Sequence, residues 1–399
     1  DSGVTGSGKT AVFLHVIRHV LTVGKGVIVT VPEISLTPQT LAVFTAAFGD
    51  TVAVFHSGLS VGERMDEWKR VRTGRAKIVV GTRSAVFAPV QNLGLIVMDE
   101  EQESTYKSES TPRYHARDIA KFRVNYNRAY CLLCSATPSV ESYYMAQSGK
   151  YRYHALHHRY GDAVVPTVQL VDMNNEDLYR GKPMISMALA RAVSENIRAG
   201  RQSILLLNRR GYHTYAVCKD CKTVAACPNC SISMTYHAAN NRLMCHYCGH
   251  SEPAYVRCKA CGGELTFSGG GTQKAEDQLR EAFPEARILR VDTDTTANKY
   301  ALEKKLNAFA NGEYDIMIGT QMVAKGLDFE NVTLVGVLSA DQSLYSDDYR
   351  SNERTFDLLT QVVGRAGRGR YRGMALIQTH VPENPYLHLA AAQDYESFF

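Results

Sequence analysis

The chain has 399 residues, of which 45% are hydrophobic and 21% charged. That composition excludes a largely disordered protein and supplies enough apolar material for on the order of two to three domains. The net charge of +5, from 45 Lys+Arg against 40 Asp+Glu, permits nucleic-acid binding without arguing for it.

Residues 1–10 read DSGVTGSGKT. A phosphate-binding loop normally follows a buried strand, and only Asp1 and Ser2 precede this one, so the sequence reads as truncated there. The far end, Phe398-Phe399, carries no helix-stop signal and reads the same way. From Ala11 to Leu21, the apolar residues Val12, Leu14, Ile17, Val20 and Leu21 recur at helical spacing. Gly26–Val31, Lys77–Val80, Leu95–Met98 and Tyr130–Cys134 are short apolar runs expected to be buried strands, with helices between them. Such alternation predicts a parallel sheet covered on both faces. The pattern loosens around residues 150–166, and Pro166 opens a second α/β series. Its strands are expected at Ile204–Leu207, Arg287–Val291, Ile316–Ile318, Val332–Val337 and Met374–Ile377. A Cys-rich insertion, about residues 217–263, interrupts this series between Leu207 and Arg287. No stretch reaches the roughly 18 uninterrupted apolar residues of a membrane span. The expected fold class is α/β, with one lobe over residues 1–165 and a second over 166–399 that contains the insertion.

Three motifs point to phosphoryl chemistry. Gly3-Val4-Thr5-Gly6-Ser7-Gly8-Lys9-Thr10 fits G-x-x-x-x-G-K-[ST]. Its glycines, Gly3, Gly6 and Gly8, let successive backbone N–H groups, that of Thr5 among them, turn toward phosphate oxygens. The helix that follows presents its positive end to the same anion. Lys9 can reach the outer phosphates and Thr10 can ligate Mg²⁺. The apolar run Leu95–Met98 ends in Asp99-Glu100-Glu101-Gln102. There Asp99 would hold the metal shell, and Glu100 would orient or deprotonate the attacking water. Gln361, Arg365 and Arg368 stand in QVVGRAGR near the far end of the second lobe, where guanidinium groups would meet the charge that spreads over a transferred phosphoryl group. Supplying them from the second lobe would make hydrolysis depend on lobe closure.

Eight of the ten cysteines form four C-x-x-C pairs: Cys218/Cys221, Cys227/Cys230, Cys245/Cys248 and Cys258/Cys261. Two such pairs complete a closed tetrahedral Zn²⁺ site, so two structural zincs are expected, in a reducing compartment such as the cytoplasm. The spacing from Cys230 to Cys245 is that of a zinc ribbon, which assigns the inner pairs to one ion. Cys131 and Cys134 share the C-x-x-C spacing but fall on a predicted buried strand and read as core. Interleaved Lys, Arg and Tyr in the insertion suit contact with a nucleic-acid strand or a partner protein.

With these motifs the chain resembles superfamily 2 helicases, and within them the primosomal replication-restart helicases. The matching segments are GVTGSGKT (3–10), TVPEISLTPQ (30–39), GTRSAVFAP (81–89), DEEQESTYKSE (99–109), RYHARDIA (113–120), SATP (135–138), NRRGY (208–212), IGTQMVAKGLDFENVTLV (318–335), DYRSNERTFDLLTQVVGRAGRG (348–369) and the eight cysteines. The resemblance implies two RecA-like lobes and a zinc-binding insertion whose outer cysteine pairs share the second ion. It further implies an ATP-driven, Mg²⁺-dependent, 3′-to-5′ DNA helicase, monomeric, acting at stalled or collapsed forks and in primosome assembly. Fork and single-stranded DNA, single-stranded DNA-binding protein and a helicase loader are the implied partners. Thr82-Arg83-Ser84 and Thr320-Gln321 would touch DNA backbone, and Ser135 and Thr137 would link hydrolysis to DNA movement. The loop 103–115 would sense single strands, with Tyr106, Lys107 and Tyr114 stacking on bases or binding phosphate. Gln102 departs from the His more common in the family. Two other readings remain: an RNA-directed ATPase of the same superfamily, and a non-catalytic zinc platform with a vestigial ATPase.

Overall fold

The structure is a computed structural model that describes residues 2–3, 7–32, 38–156, 166–207, 214–237, 240–245, 248–268, 272–291, 299–320, 323, 329–346, 348–367 and 371–399. The chain divides into two compact units, Asp1–Asp162 and Ala163–Phe399.

In the first unit the elements run β1 (Ser2–Gly3), α1 (Lys9–Thr22), β2 (Gly26–Thr30), α2 (Pro38–Phe48), β3 (Val52–Phe55), α3 (Val61–Arg72), β4 (Ile78–Gly81), β5 (Leu93–Asp99), α4 (Ala116–Asn127), β6 (Tyr130–Cys134), α5 (Val140–Gln147) and β7 (Ala155–Leu156). Five strands form a parallel sheet in the order β3-β4-β2-β5-β6. Side chains alternate between its faces, as period two requires. Val27, Val29, Ile78, Val80, Leu95 and Val97 pack with Phe13, Ile17 and Val20 of α1 and Phe44 of α2. Ile28, Val79, Ile96 and Met98 pack with Val71, Ala116 and Ala120 on the other face. Because every strand is parallel, Thr30, Gly81, Asp99 and Cys134 all end at one edge of the sheet, the edge where open α/β sheets place their ligands.

Two expectations change here. β3 is missing from the sequence reading: it is a four-residue edge strand whose last two residues are only half-buried, too short and too mixed to stand out. Tyr130–Cys134 is a strand but not a buried one. It lies at the sheet edge, with Tyr130 76% exposed and the next three residues half-buried. Beside it lies a cavity of about 830 Å³ lined by Val12, Val16, Leu132, Tyr151 and Leu156 among others. Cys131 packs on one face and Cys134 on the other, and burial pushes both thiols up to about 12.

The second unit carries a six-stranded parallel sheet, built from β8 (Thr167–Asp172), β9 (Gln202–Leu206), β15 (Ile288–Val291), β16 (Ile316–Gly319), β17 (Val332–Val337) and β18 (Met374–Thr379) in the order β15-β16-β9-β17-β18-β8. Helices α6 (Met187–Arg198), α7 (Thr272–Ala282) and α8 (Lys299–Ala310) and the helix Ser351–Val363 cover it, and Leu189, Leu279, Phe309 and Phe356 are fully buried. Between β9 and α7 the chain forms a separate five-stranded antiparallel sheet. Its strands are β10 (Thr214–Cys218), β11 (Thr235–His237), β12 (Arg242–Met244), β13 (Ser251–Pro253) and β14 (Leu265–Ser268), in the order β13-β12-β11-β10-β14. The architecture is therefore two RecA-like parallel-sheet lobes with a Cys-rich insertion in the second.

Candidate nucleotide site and metal clusters

At the sheet edge of the first unit, Gly8 caps α1 in the left-handed region, with φ 84°, and the first turn of α1 contains no acid to neutralise the positive helix end. The Ser7 hydroxyl is buried and has no hydrogen-bond partner among the described residues. A polyphosphate fits this cradle: it supplies the missing acceptor and meets the helix end. Lys9 Nζ lies 3.8 Å from Glu100 Oε1, so the loop lysine and the acid after β5 do converge. Gly3 lies in β1, Thr10 opens α1 on an exposed position, and Thr5 and Gly6 lie outside the described residues.

Asp99 ends β5, where burial first and the Glu100 carboxylate second push its carboxyl up to about 7, against the pull of Lys9. A desolvated acid beside a like charge is a natural ligand for a divalent cation, which would relieve both penalties. Glu100 follows with φ 46°, a left-handed conformation uncommon outside glycine. Gln102 Nε2 donates to Glu100 Oε2 at 2.8 Å, and Gln102 Oε1 accepts from the Ser135 hydroxyl at 2.6 Å. Ser135 Oγ in turn accepts from Thr137 N at 2.9 Å. One amide thus bridges the acid expected to handle water and the segment expected to link hydrolysis to movement.

Loop 103–115 is a short hairpin, with Lys107 and His115 bridged and Ser108 N donating to Tyr114 O at 2.7 Å. Tyr106 does not face a ligand. It is 1% exposed, and its hydroxyl donates to Thr30 O at 3.0 Å and Asp99 O at 2.7 Å. It pins the ends of β2 and β5, which excludes it from stacking on bases. Lys107 is exposed and Tyr114 half-buried. Arg83 is likewise occupied: its Nη1 donates to Thr105 O at 3.0 Å and Lys107 O at 2.6 Å, so it holds the loop. Thr82 is buried, and Ser84 remains exposed. Phe87, 53% exposed and edge-on to Tyr114 at 5.0 Å between ring centroids, is an aromatic surface residue that residue-by-residue reading passed over.

In the second unit Gln361 is buried on the helix Ser351–Val363, and Arg365 stands half-buried just beyond its end. Gly367 follows with φ 69°, and a Cβ there would meet Gly373 N at 2.4 Å, so only glycine fits this turn. Arg368 and Gln321 lie outside the described residues, and Thr320 is half-buried.

The eight cysteines gather into two clusters, Cys218/Cys221/Cys258/Cys261 and Cys227/Cys230/Cys245/Cys248, with all sulfurs in each within 4.8 Å of one another. Cys218 and Cys261 sulfurs lie 3.4 Å apart, Cys221 and Cys258 3.6 Å, and Cys227 and Cys248 3.6 Å. Tetrahedral Zn²⁺ with bonds of about 2.3 Å needs sulfurs about 3.8 Å apart, so both clusters fit that ion with no open position. Hydrogen bonding with Thr223 holds the Cys221 thiol down to about 6, and the backbone of His250 does the same for Cys248, while hydrogen bonding among the sulfurs pushes Cys230 and Cys261 up to about 12, so in the metal-free clusters the sulfurs share protons that an ion would displace. Lys222 Nζ donates to Asn174 Oδ1 at 2.7 Å, and the Ser233 hydroxyl donates to Tyr345 O, so the insertion is seated on its parent unit.

Comparison with known proteins agrees with this architecture. Residues 2–145 match the DEAD/DEAH box helicase model, 227–253 the PriA DNA helicase Cys-rich region domain, and 265–370 the helicase conserved C-terminal domain. Replication restart protein PriA of Bacillus subtilis (strain 168) is 51% identical over 398 residues, covering 100% of this chain and 49% of the relative. The PriA of Chlamydia trachomatis serovar D is 45% identical, covering 100% of the chain and 53% of the relative. The chain thus spans about half the length of the curated relatives it matches. Among solved structures, RecG bound to a three-way DNA junction superposes with a TM-score of 0.54 at 16% identity, covering 98% of this chain and 41% of that one. Mycobacterium smegmatis Lhr gives 0.56 at 13% identity, covering 98% and 46%. Those likenesses speak for the fold, whereas the identity along the whole of this chain and the Cys-rich model are specific: the chain belongs to the PriA family of helicases.

Proposed function

We propose that the chain is the motor of an ATP-dependent DNA helicase that moves 3′-to-5′, acts at stalled or collapsed replication forks and serves primosome assembly in replication restart. The observation that carries this reading is the convergence of Lys9 and Glu100 at the carboxyl edge of the sheet, with Gln102 tying Glu100 to Ser135. The backbone of the loop that includes Gly3, Thr5, Gly6 and Gly8 cradles the ATP phosphates, and Lys9 neutralises the outer ones. Thr10 and Asp99 hold Mg²⁺, which supplies charge neutralisation across the phosphates. Glu100 orients or deprotonates the attacking water, and Gln361, Arg365 and Arg368 of the second unit stabilise the charge that develops on the transferred group. Ser84, Thr320 and Gln321 contact DNA backbone, buried Thr82 supports the turn that presents Ser84, and Lys107 and Tyr114 meet the single strand. Two Zn²⁺ ions hold the insertion. Single-stranded DNA-binding protein and a helicase loader are the protein partners of a cytoplasmic monomer. No helix among the described residues is long and apolar enough to cross a membrane.

The test is ATP turnover by the intact protein with and without single-stranded DNA, repeated with RNA. Turnover should rise with DNA, vanish in Lys9→Ala, and vanish in Glu100→Gln while ATP binding persists. Stronger stimulation by RNA would replace the DNA substrate, and full turnover in Glu100→Gln would falsify the role of that residue.

A further inference from the structure

Glu101 takes no part in the proposed hydrolysis, although it is among the most completely enclosed acids of the described residues. It is 2% exposed. Its Oε1 accepts from Ser139 N at 2.7 Å, and its Oε2 from the Ser139 hydroxyl at 3.2 Å, the Ser142 hydroxyl at 3.0 Å and Arg117 Nη1 at 2.8 Å. Arg117 Nη1 also lies 2.6 Å from Ser139 Oγ and 2.9 Å from Ser142 Oγ. Burying a carboxylate is costly unless its oxygens are satisfied, and here they have four donors, although Arg117 Nε is buried with no hydrogen-bond partner among the described residues. The donors come from separate places. Ser139 caps α5 directly after the segment 135–138, Ser142 lies in the first turn of α5, and Arg117 lies in the first turn of α4, two residues beyond His115 at the base of the hairpin 103–115.

The neighbour of this clamp is Glu100, whose φ of 46° is a conformation that persists only where the surroundings over-determine it. On the C-terminal side of Glu100, Glu101 is itself fixed twice, through the side-chain contacts above and through Glu101 N to Cys134 O at 3.1 Å. The end of β5 fixes the other side. A backbone held this way at both flanks fixes the direction in which the Glu100 side chain leaves the chain, and from there its carboxylate reaches Lys9 and Gln102.

We propose that Glu101 is a positioning residue for ATP hydrolysis: its clamped carboxylate holds the left-handed backbone at Glu100 and so aims the Glu100 carboxylate, and Arg117 ties that aim to the hairpin 103–115. The proposal deepens the reading of Glu100 as the residue that handles the attacking water, and it rests on that reading. Glu101 touches no reactant and acts through Glu100 alone. Its loss therefore misdirects Glu100 without weakening nucleotide binding, and costs nothing further once Glu100 is already impaired.

The experiment is a double-mutant cycle on the intact protein, reading kcat and KM for ATP with single-stranded DNA present. Glu101→Gln should lower kcat about ten- to hundredfold, the scale of a catalytic group misplaced by about 1 Å, with KM within about twofold. In a Glu100→Asp background, where the shortened carboxylate is expected to leave slow but measurable turnover, adding Glu101→Gln should change kcat less than about threefold. Ser142→Ala removes one donor from the same carboxylate and should give a smaller loss of kcat with the same pattern. It carries the test alone if Glu101→Gln does not fold. Wild-type kcat in these variants overturns the proposal. So do losses that multiply in the Glu100→Asp background, which would mark the clamp as a structural staple. Undiminished turnover in Glu100→Gln would remove the reading of Glu100 itself, and the proposal with it.

Discussion

Tyr106 separates a buried brace from a base-stacking surface. Its ring is fully enclosed, and its hydroxyl serves the backbone carbonyls of Thr30 and Asp99. Burial also drives its phenol well above the usual range, so it stays a donor at every accessible pH. Tyr106→Phe keeps the ring and removes only the hydroxyl, and with it the one proton shared between the carbonyls at the ends of β2 and β5. Leaving a buried polar group unsatisfied costs about 1–3 kcal/mol. About 2 kcal/mol corresponds to roughly 4–8 °C in the melting of a unit spanning Asp1–Asp162. Trp68, the one tryptophan of the chain, lies on α3 in that unit, so a fluorescence melt reports on it selectively. The expected result is a lowered first-unit midpoint with single-strand affinity unchanged when measured well below that midpoint. A wild-type midpoint combined with a large loss of single-strand affinity would refute the buried placement and return Tyr106 to the stacking role.

The other predictions concern metal, arginine and acid. Cys227→Ser and Cys245→Ser belong to one cluster and should each lower the metal content from two zincs to one, with unwinding impaired and DNA-stimulated ATP hydrolysis largely kept; zinc analysis, hydrolysis and unwinding on the same preparations check this. Arg365→Ala should lower kcat far more than ATP affinity, because the guanidinium meets charge that exists only in the transition state; parallel binding and rate measurements decide it. Asp99 is an acid whose folded-state value is raised from 3.8 to about 7, so the fold opposes its ionisation. Without divalent cation its cost to stability is absent well below pH 4, grows between about 4 and about 7, and stays constant above that. Asp99→Asn should therefore raise the melting midpoint of the metal-free protein most above about pH 7 and progressively less toward pH 4; a pH series of melts would show an unchanging gap if the reasoning is wrong.

Local patterns were the legible part of the sequence. Apolar runs such as Val27–Val29 and Leu95–Met98 announce parallel strands because both of their faces are buried. The four cysteine pairs announce metal because tetrahedral thiolate sites impose a short spacing. Lys9 and Glu100 could be named from flanking pattern alone. What depended on distant chain was not legible. Tyr106 and Arg83 have residue types that suit nucleic acid, yet their partners, the carbonyls of Thr30, Asp99, Thr105 and Lys107, are supplied by tertiary packing. Glu101 stood unremarked between two acids and a glutamine because its donors, Ser139, Ser142 and Arg117, lie 16 to 41 residues away. The exposed edge of β6 was invisible because apolar residues read as buried whether one or both of their neighbours are present.

The insertion leaves and rejoins the second unit through β10 and β14, which pair antiparallel from Tyr215 opposite Ser268 to Cys218 opposite Leu265. Its entrance and exit are therefore adjacent, like the two ends of a hairpin stem. A segment attached this way imposes almost no separation on β9 and α7, so its length and internal shape are free to vary while the six-stranded sheet keeps its register. Much of its cohesion is local too, since its small apolar clusters include four buried cysteines from the two sulfur sets. Such a stem behaves as a socket. The insertion could be exchanged for one of different length or surface without moving the ends of β9 and α7 that it joins, provided the contacts of Lys222 and Ser233 with the parent unit are kept. Specialisation of the protruding surface is thereby uncoupled from preservation of the engine.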